Sequence, residues 1–133
     1  MSRWAWVAVA GWMAFLVGGC KDENGPGSPS NVVFPSSGVS YGRHVQPLFN
    51  QACNFGGCHD GTSQQTALNL TSYSGTVFSL PGVVIPGDTV HSTLVLSVEG
   101  KVGTIRMPPS GNGLTDNQIK GIRTWIAEGA KDN

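Results

Sequence analysis

The chain has 133 residues, and its eight Lys and Arg side chains balance eight Asp and Glu, so the formal net charge is zero. This balance gives no electrostatic support for binding nucleic acid. The composition includes 19 glycines, and large apolar side chains are sparse. A small domain with so limited a core usually needs a staple, a metal or a cofactor.

The N-terminal segment has the pattern of a secretory signal. Arg3 is the only charge before Lys21, and every residue from Trp4 to Val17 is apolar or glycine. Roughly 20 apolar residues are needed to span a bilayer. This shorter run therefore predicts a signal peptide over residues 1–19.

The segment Val17-Gly18-Gly19-Cys20 resembles the lipobox of bacterial lipoproteins. The resemblance implies cleavage before Cys20 and a diacylglyceryl group on its sulfur, so the protein would be attached to a membrane by lipid. Lys21 at the next position favours the outer membrane, and we expect the protein in the cell envelope, facing the periplasm. An uncleaved N-terminal anchor and an ordinary cleaved signal are the alternatives.

Residues 20–37 are rich in Gly, Pro and Ser. Such a composition cannot bury a core, so this segment is predicted to be the lipidated cysteine followed by a flexible linker. At about 3.3 Å per residue it would reach at most ~60 Å from a membrane. The folded domain is expected over residues 38–133.

The first predicted helix runs from Tyr41 to Ala52. Val45, Leu48 and Phe49 recur in it at helical spacing. Pro47 marks either its first turn or a kink, because proline cannot donate a backbone hydrogen bond.

The stretch Cys53-Asn54-Phe55-Gly56-Gly57-Cys58-His59 follows this helix and carries the groups needed to attach haem covalently. Its two thiols can add to the vinyl groups of a porphyrin, and His59 can bind the iron as the proximal ligand. The usual signature is C-x-x-C-H, whereas four residues separate these cysteines. Gly56 and Gly57 can take backbone conformations closed to other residues, which makes a bulged loop feasible.

Two other uses of these cysteines stay open at this point. In an oxidising compartment nearby cysteines rarely stay free, so Cys53 and Cys58 could form a disulfide in a haem-free domain. A zinc site would need four ligands, which Cys53, Cys58, His59 and another histidine could supply. Zinc would leave the later Met-Pro-Pro segment unexplained.

The run from Gly61 to Gly87 contains no Asp, Glu, Lys or Arg. It could line a haem crevice or form an uncharged surface loop. A second helix is predicted after it, capped by Asp88 or Thr89 and ended by Gly100. Its apolar face consists of Leu94, Val95 and Val98.

Met107, in Arg106-Met107-Pro108-Pro109, is the candidate for the opposite face of the iron. Its thioether is a soft, neutral ligand, and the two prolines restrict the backbone around it. A lone methionine is also a common core filler. His91 and His44 could replace it, which would give a lower reduction potential than a Met/His pair.

The third predicted helix has the clearest pattern. Thr115 and Gln118 form a capping box at its start, and Gly129 ends it. One apolar stripe follows the cap, made of Ile119, Ile122, Trp125 and Ile126.

Several spaced motifs therefore stand in one order: Val45-Gln46-Pro47-Leu48-Phe49, Cys53 to Gly61, Pro86-Gly87-Asp88, Met107-Pro108-Pro109 and Leu114 to Ala130. This order resembles small class-I-like bacterial c-type cytochrome domains, of the kind found in exported proteins of planctomycetes and myxobacteria. The resemblance implies an all-α domain with long loops, wrapped around one covalently bound haem c.

Residue by residue, the resemblance implies thioethers at Cys53 and Cys58 and iron ligation by His59 and Met107. It also implies that the N- and C-terminal helices cross, with Trp125 near the first helix or the haem edge. The expected function is that of a monohaem lipoprotein which carries single electrons to and from unidentified redox partner proteins. No general base, nucleophile or oxyanion arrangement accompanies the motif, so we do not expect an enzyme. The alternative is a haem-free structural or binding lipoprotein.

Overall fold

A computed structural model describes residues 32–62, 67–101, 103–109, 111 and 113–133. The predicted signal peptide, Cys20 and most of the predicted linker lie outside these residues. Within the described ranges there is no β-strand, which agrees with the predicted all-α class. None of the helices in this part of the chain is long and apolar enough to cross a bilayer.

The described residues form a π-helical turn and four α-helices joined by long loops. In chain order these are the π-helical turn Tyr41–Val45, α1 (Gln46–Ala52), α2 (Tyr73–Phe78), α3 (Thr93–Glu99) and α4 (Asp116–Ala127).

The π-helical turn and α1 together span the helix that was predicted from Tyr41 to Ala52. Ser40 begins this stretch, because its hydroxyl accepts a hydrogen bond from the Arg43 amide at 3.2 Å. Pro47 is the second residue of α1, directly after the π-helical turn, and it donates no backbone hydrogen bond because proline has no N–H.

The core forms where the first helical stretch and α3 pack against α4. The apolar residues of these helices that have no exposed surface are Val45, Leu48, Phe49, Val95, Ile122, Trp125 and Ile126. The ring of Trp125 lies 5.4 Å from that of Tyr41, so the expected contact between Trp125 and the first helix is confirmed. Ile119 is only partly buried at the edge of the stripe.

α4 begins at the predicted capping box. The Thr115 hydroxyl accepts the amide of Gln118, and the Gln118 side chain accepts the amide of Thr115 at 3.0 Å. The helix ends at Ala127, two residues before Gly129.

α3 has the predicted apolar face and ends at Gly100 (φ 65°), but its predicted cap was wrong. The helix starts at Thr93, after Ser92. Asp88 lies in a turn before the helix, where its Oδ1 accepts the amides of Val90 (2.8 Å) and His91 (3.0 Å). The Asp88 carboxylate therefore caps this turn and not the helix.

α2 was not predicted, although it lies in the uncharged run. Ser72 caps it by accepting the Gly75 amide at 3.1 Å. Its Val77 is buried while Phe78 is 71% exposed. Six residues are too few for an amphipathic stripe to stand out in the sequence.

The segment Val32–Val39 is fastened along α4, and we call it the N-terminal strap. Phe34 is 3% exposed, and its amide and carbonyl both pair with the side chain of Asn117, at 2.8 and 3.0 Å. The Gln118 side chain donates to the carbonyl of Val32 at 3.2 Å. The folded part thus begins before residue 38, and the linker prediction extended too far along the chain.

Candidate haem site

The loop that follows α1 closes on itself. Cys53 ends the helix by donating its amide to Phe49 O at 2.9 Å, and the Cys58 amide donates to Phe55 O at 2.9 Å. The His59 amide then donates to the carbonyl oxygen of Cys53 at 3.2 Å. The four residues between the cysteines therefore form a turn, which brings the backbone of His59 back to that of Cys53.

Gly57 allows this turn, because its φ of +83° is a conformation that side chains disfavour. A β-carbon at this position would meet nothing within 4 Å, so the requirement is conformational and not steric. Gly56 has an ordinary φ. The backbone conformation expected of a glycine bulge is thus present at Gly57 and not at Gly56.

Both cysteines of the loop carry free thiols in the structure. Cys53 packs against the hydrophobic core. Burial, with a smaller contribution from Cys58, raises the pKa of the Cys53 thiol to about 12. Cys53 is therefore a neutral thiol at physiological pH, in the S–H form that adds across a vinyl double bond.

His59 is held by its backbone on both sides. Its amide bonds to Cys53 and its carbonyl accepts the Leu70 amide at 3.0 Å. The side-chain Nδ1 is buried without a hydrogen-bond partner, which costs about 1–3 kcal/mol for a neutral polar atom. A histidine that binds a metal through Nε2 carries its proton on Nδ1, so the orphaned atom is compatible with an iron ligand.

Met107 is partly buried in the loop that follows α3. Its amide donates to the carbonyl of Ser97 in α3 at 3.0 Å, and the peptide bond to Pro108 is cis. The backbone that carries the thioether is thereby attached to a helix of the core, while His59 is carried by the loop after α1.

A protein-family comparison adds to this geometry. The model of a family described as Planctomycete cytochrome C matches residues 56–111. The match supports a small planctomycete-type cytochrome c domain. It includes Cys58, His59 and Met107, while Cys53 and α4 lie outside it. No curated protein and no solved structure matches the chain.

The match suggests a haem-binding electron carrier, because proteins of the cytochrome c family are generally electron carriers and not catalysts. It agrees with the family resemblance over residues 56–111, and a cytochrome c family implies haem c as the cofactor. The residues of the Cys53–His59 loop fit that cofactor, since two thiols and an imidazole with one orphaned nitrogen lie in one closed turn.

The other two histidines of the described residues, His44 and His91, make local hydrogen bonds. His44 Nδ1 accepts the Ser40 amide at 3.0 Å, and its ring lies 5.8 Å from that of Phe34. His91 is 74% exposed, with Nδ1 2.7 Å from Asp88 Oδ2. Hydrogen bonds from the His91 amide and ring lower the pKa of Asp88 to about 2. The Nδ1 atom of each of these histidines is thus engaged by a neighbouring residue.

The zinc alternative finds no support in the described ranges. Among their residues, no three His, Cys, Asp or Glu side chains come together where they could hold a metal ion.

A separate groove of about 290 Å³ lies between α3 and α4. Its lining residues are Glu99, Asp116, Ile119, Lys120 and Arg123. Arg123 Nη1 pairs with Glu99 Oε1 at 2.6 Å inside it. None of the site residues predicted from the sequence lines this groove.

Sequence reasoning missed Gln51, in the last turn of α1. Its side-chain carbonyl is buried without a partner, as His59 Nδ1 is. The sequence gives no signal for it, because a glutamine two residues before a cysteine is ordinary.

Proposed function

We propose that the protein is a monohaem c-type cytochrome in which His59 and Met107 bind the two faces of the iron. The bond from the His59 amide to Cys53 O carries the proposal, because it joins the proximal ligand to the first attachment residue despite the long spacer. The family match over Cys58, His59 and Met107 supports the same assignment.

The residues have separate tasks in this proposal. The S–H groups of Cys53 and Cys58 would each add across one vinyl group of haem, so that each sulfur would form one thioether bond and each hydrogen would pass to the neighbouring vinyl carbon. His59 binds through Nε2 and Met107 through its sulfur. When bound, haem supplies the iron that cycles between the ferric and ferrous states.

If His59 and Met107 both bind the iron, the protein would leave no place on it for a substrate. A Met/His pair also gives a higher reduction potential than two histidines. The attachment of Met107 to Ser97 holds the thioether with little backbone freedom, which favours retention of the weaker ligand. This arrangement suits single-electron transfer.

We also propose that the protein is a lipoprotein. Lipid on Cys20 would attach the cytochrome to the outer membrane, facing the periplasm. The chain between Cys20 and the N-terminal strap would let the domain approach redox partner proteins. Brief contacts of this type use small interfaces.

An absorption spectrum of the full chain, produced in cells that attach haem to exported proteins, tests this function. We expect a Soret band that stays with the protein in acidic organic solvent, and a mass greater by one haem. A variant with Cys53→Ala and Cys58→Ala is the control and should lose the haem in that solvent. If the wild-type protein has no Soret band and a Cys53–Cys58 disulfide by mass, the haem-free alternative replaces this proposal.

A further inference from the structure

Gln51 and His59, eight residues apart in the sequence, each have a buried polar atom without a hydrogen-bond partner, and the two atoms have complementary chemistry. Gln51 Oε1 can only accept a hydrogen bond, and His59 Nδ1 can donate one whenever it carries the imidazole proton. Both atoms are buried and unpaired. Such atoms are uncommon in folded proteins and call for a specific explanation.

The backbone brings the two residues to the same end of α1. Gln51 lies in the last turn of the helix, and Cys53 follows it as the C-cap. The His59 amide bonds to Cys53 O at 3.2 Å. The backbone of His59 therefore lies beside that of Cys53, which is the second residue after Gln51 in the chain.

The neighbouring amide side chains of this stretch are paired. Asn50 Oδ1 accepts from Gln46 Nε2 and from Asn54 Nδ2, each at 2.8 Å. Gln46 Nε2 also donates to Leu70 O at 3.0 Å. The side-chain carbonyl of Gln51, by contrast, is buried and takes no part in these bonds.

We propose that Gln51 is a positioning residue for His59, whose Nδ1–H donates to Gln51 Oε1 when haem is attached. The inference rests on the proposed function, in which Nε2 binds iron. Ligation through Nε2 places the proton on Nδ1, and a metal-bound histidine usually donates that proton to an outer acceptor. One bond satisfies both orphaned atoms and fixes the rotation of the ring.

The bond has a consequence for the redox centre. An acceptor on Nδ1–H makes the imidazole a more basic ligand, which favours the ferric state and lowers the reduction potential. Loss of the acceptor should therefore raise the potential, which a purely structural role of Gln51 would not require.

The test uses the full chain with haem attached and the variant Gln51→Leu, which keeps the side-chain size but removes the acceptor. We expect a higher reduction potential, and faster solvent exchange of the His59 Nδ1 proton in NMR spectra of the reduced protein. Gln51→Glu restores an acceptor and should return the potential to the wild-type value or below. Asn50→Leu, one residue away on the exposed side, should leave both readouts unchanged.

An unchanged potential and unchanged proton exchange in Gln51→Leu would overturn the inference while leaving the cytochrome function intact. Absence of haem from the wild-type protein would instead overturn the function itself. If Gln51→Leu does not fold, the NMR spectrum of the reduced wild-type protein tests the inference instead. A His59 Nδ1 proton that exchanges as fast as an exposed imidazole overturns the inference, and a slowly exchanging one with a coupling to Gln51 supports it.

Discussion

Phe34 lies directly over Gly121 of α4, so close that a β-carbon at position 121 would stand 2.1 Å from the phenylalanine ring. This contact seats the N-terminal strap on the helix. It depends on the absence of a side chain at one position of a buried helical face.

Replacing Gly121 with alanine should therefore destabilise the protein. In an ordinary helix the change would stabilise by about 0.5–1 kcal/mol, but the steric conflict with Phe34 should outweigh this gain and cost about 1–3 kcal/mol. Denaturant unfolding measures the effect. Adding Phe34→Ala should make the Gly121 substitution much less harmful, and a purely additive double mutant would contradict the proposed contact.

Gly57→Ala should lower the yield of haem-attached protein. A side chain in the left-handed region costs roughly 1–2 kcal/mol, and Gly57 has a φ of +83° in the turn that returns His59 to Cys53. The readout is the ratio of haem absorbance to protein mass. Gly56→Ala, with an ordinary φ and open space around it, is the matched control, and equal yields for the two variants would argue against this role.

Met107→Ala should change the absorption spectrum of the oxidised protein and lower its reduction potential, because a weak neutral ligand that favours ferrous iron is lost. Ile105→Ala, at a position that is 72% exposed, should leave both unchanged. A spectrum that does not respond to Met107→Ala would point to another distal ligand, which His91→Ala and His44→Ala would then identify.

The free energy of unfolding should fall as the pH rises from about 10 towards 12. Burial raises the pKa of Tyr41 from 10.0 to about 12, so the unfolded chain releases this proton first and stability is lost above the unfolded pKa. Tyr41→Phe should reduce this loss relative to the wild type. The chain has two tyrosines, so a Tyr73→Phe variant lets the tyrosinate absorbance of Tyr41 be followed alone. Titration of Tyr41 near 10 in that variant would disprove the shift.

The parts of the fold that were predicted correctly depend on short-range patterns. The capping box of Thr115 and Gln118 acts within one turn, and the stripe that includes Trp125 follows from helical spacing. The family resemblance used several motifs in order, which explains why the match over residues 56–111 agrees with it.

The parts that were missed depend on contacts between distant segments. Phe34 could not be recognised as buried without knowing that Asn117 lies beside it, 83 residues later in the chain. Asp88 resembled a helix cap because its carboxylate accepts the amides of the second and third residues after it, as a cap does. These amides belong to a turn that ends before α3 begins. The unpaired carbonyl of Gln51 depends on the arrangement of several side chains at once.

The hydrogen bonds of the N-terminal strap determine where a pulling force on the chain enters the domain. Force applied to the chain before Val32 would load the bonds from Gln118 to Val32 and from Asn117 to Phe34 before it reached any other part of the domain. These bonds grip α4, whereas the Cys53–His59 loop follows a different helix. If the chain is lipidated at Cys20 as proposed, a pull from the membrane would therefore load the contacts between the strap and α4 before it reached the Cys53–His59 loop.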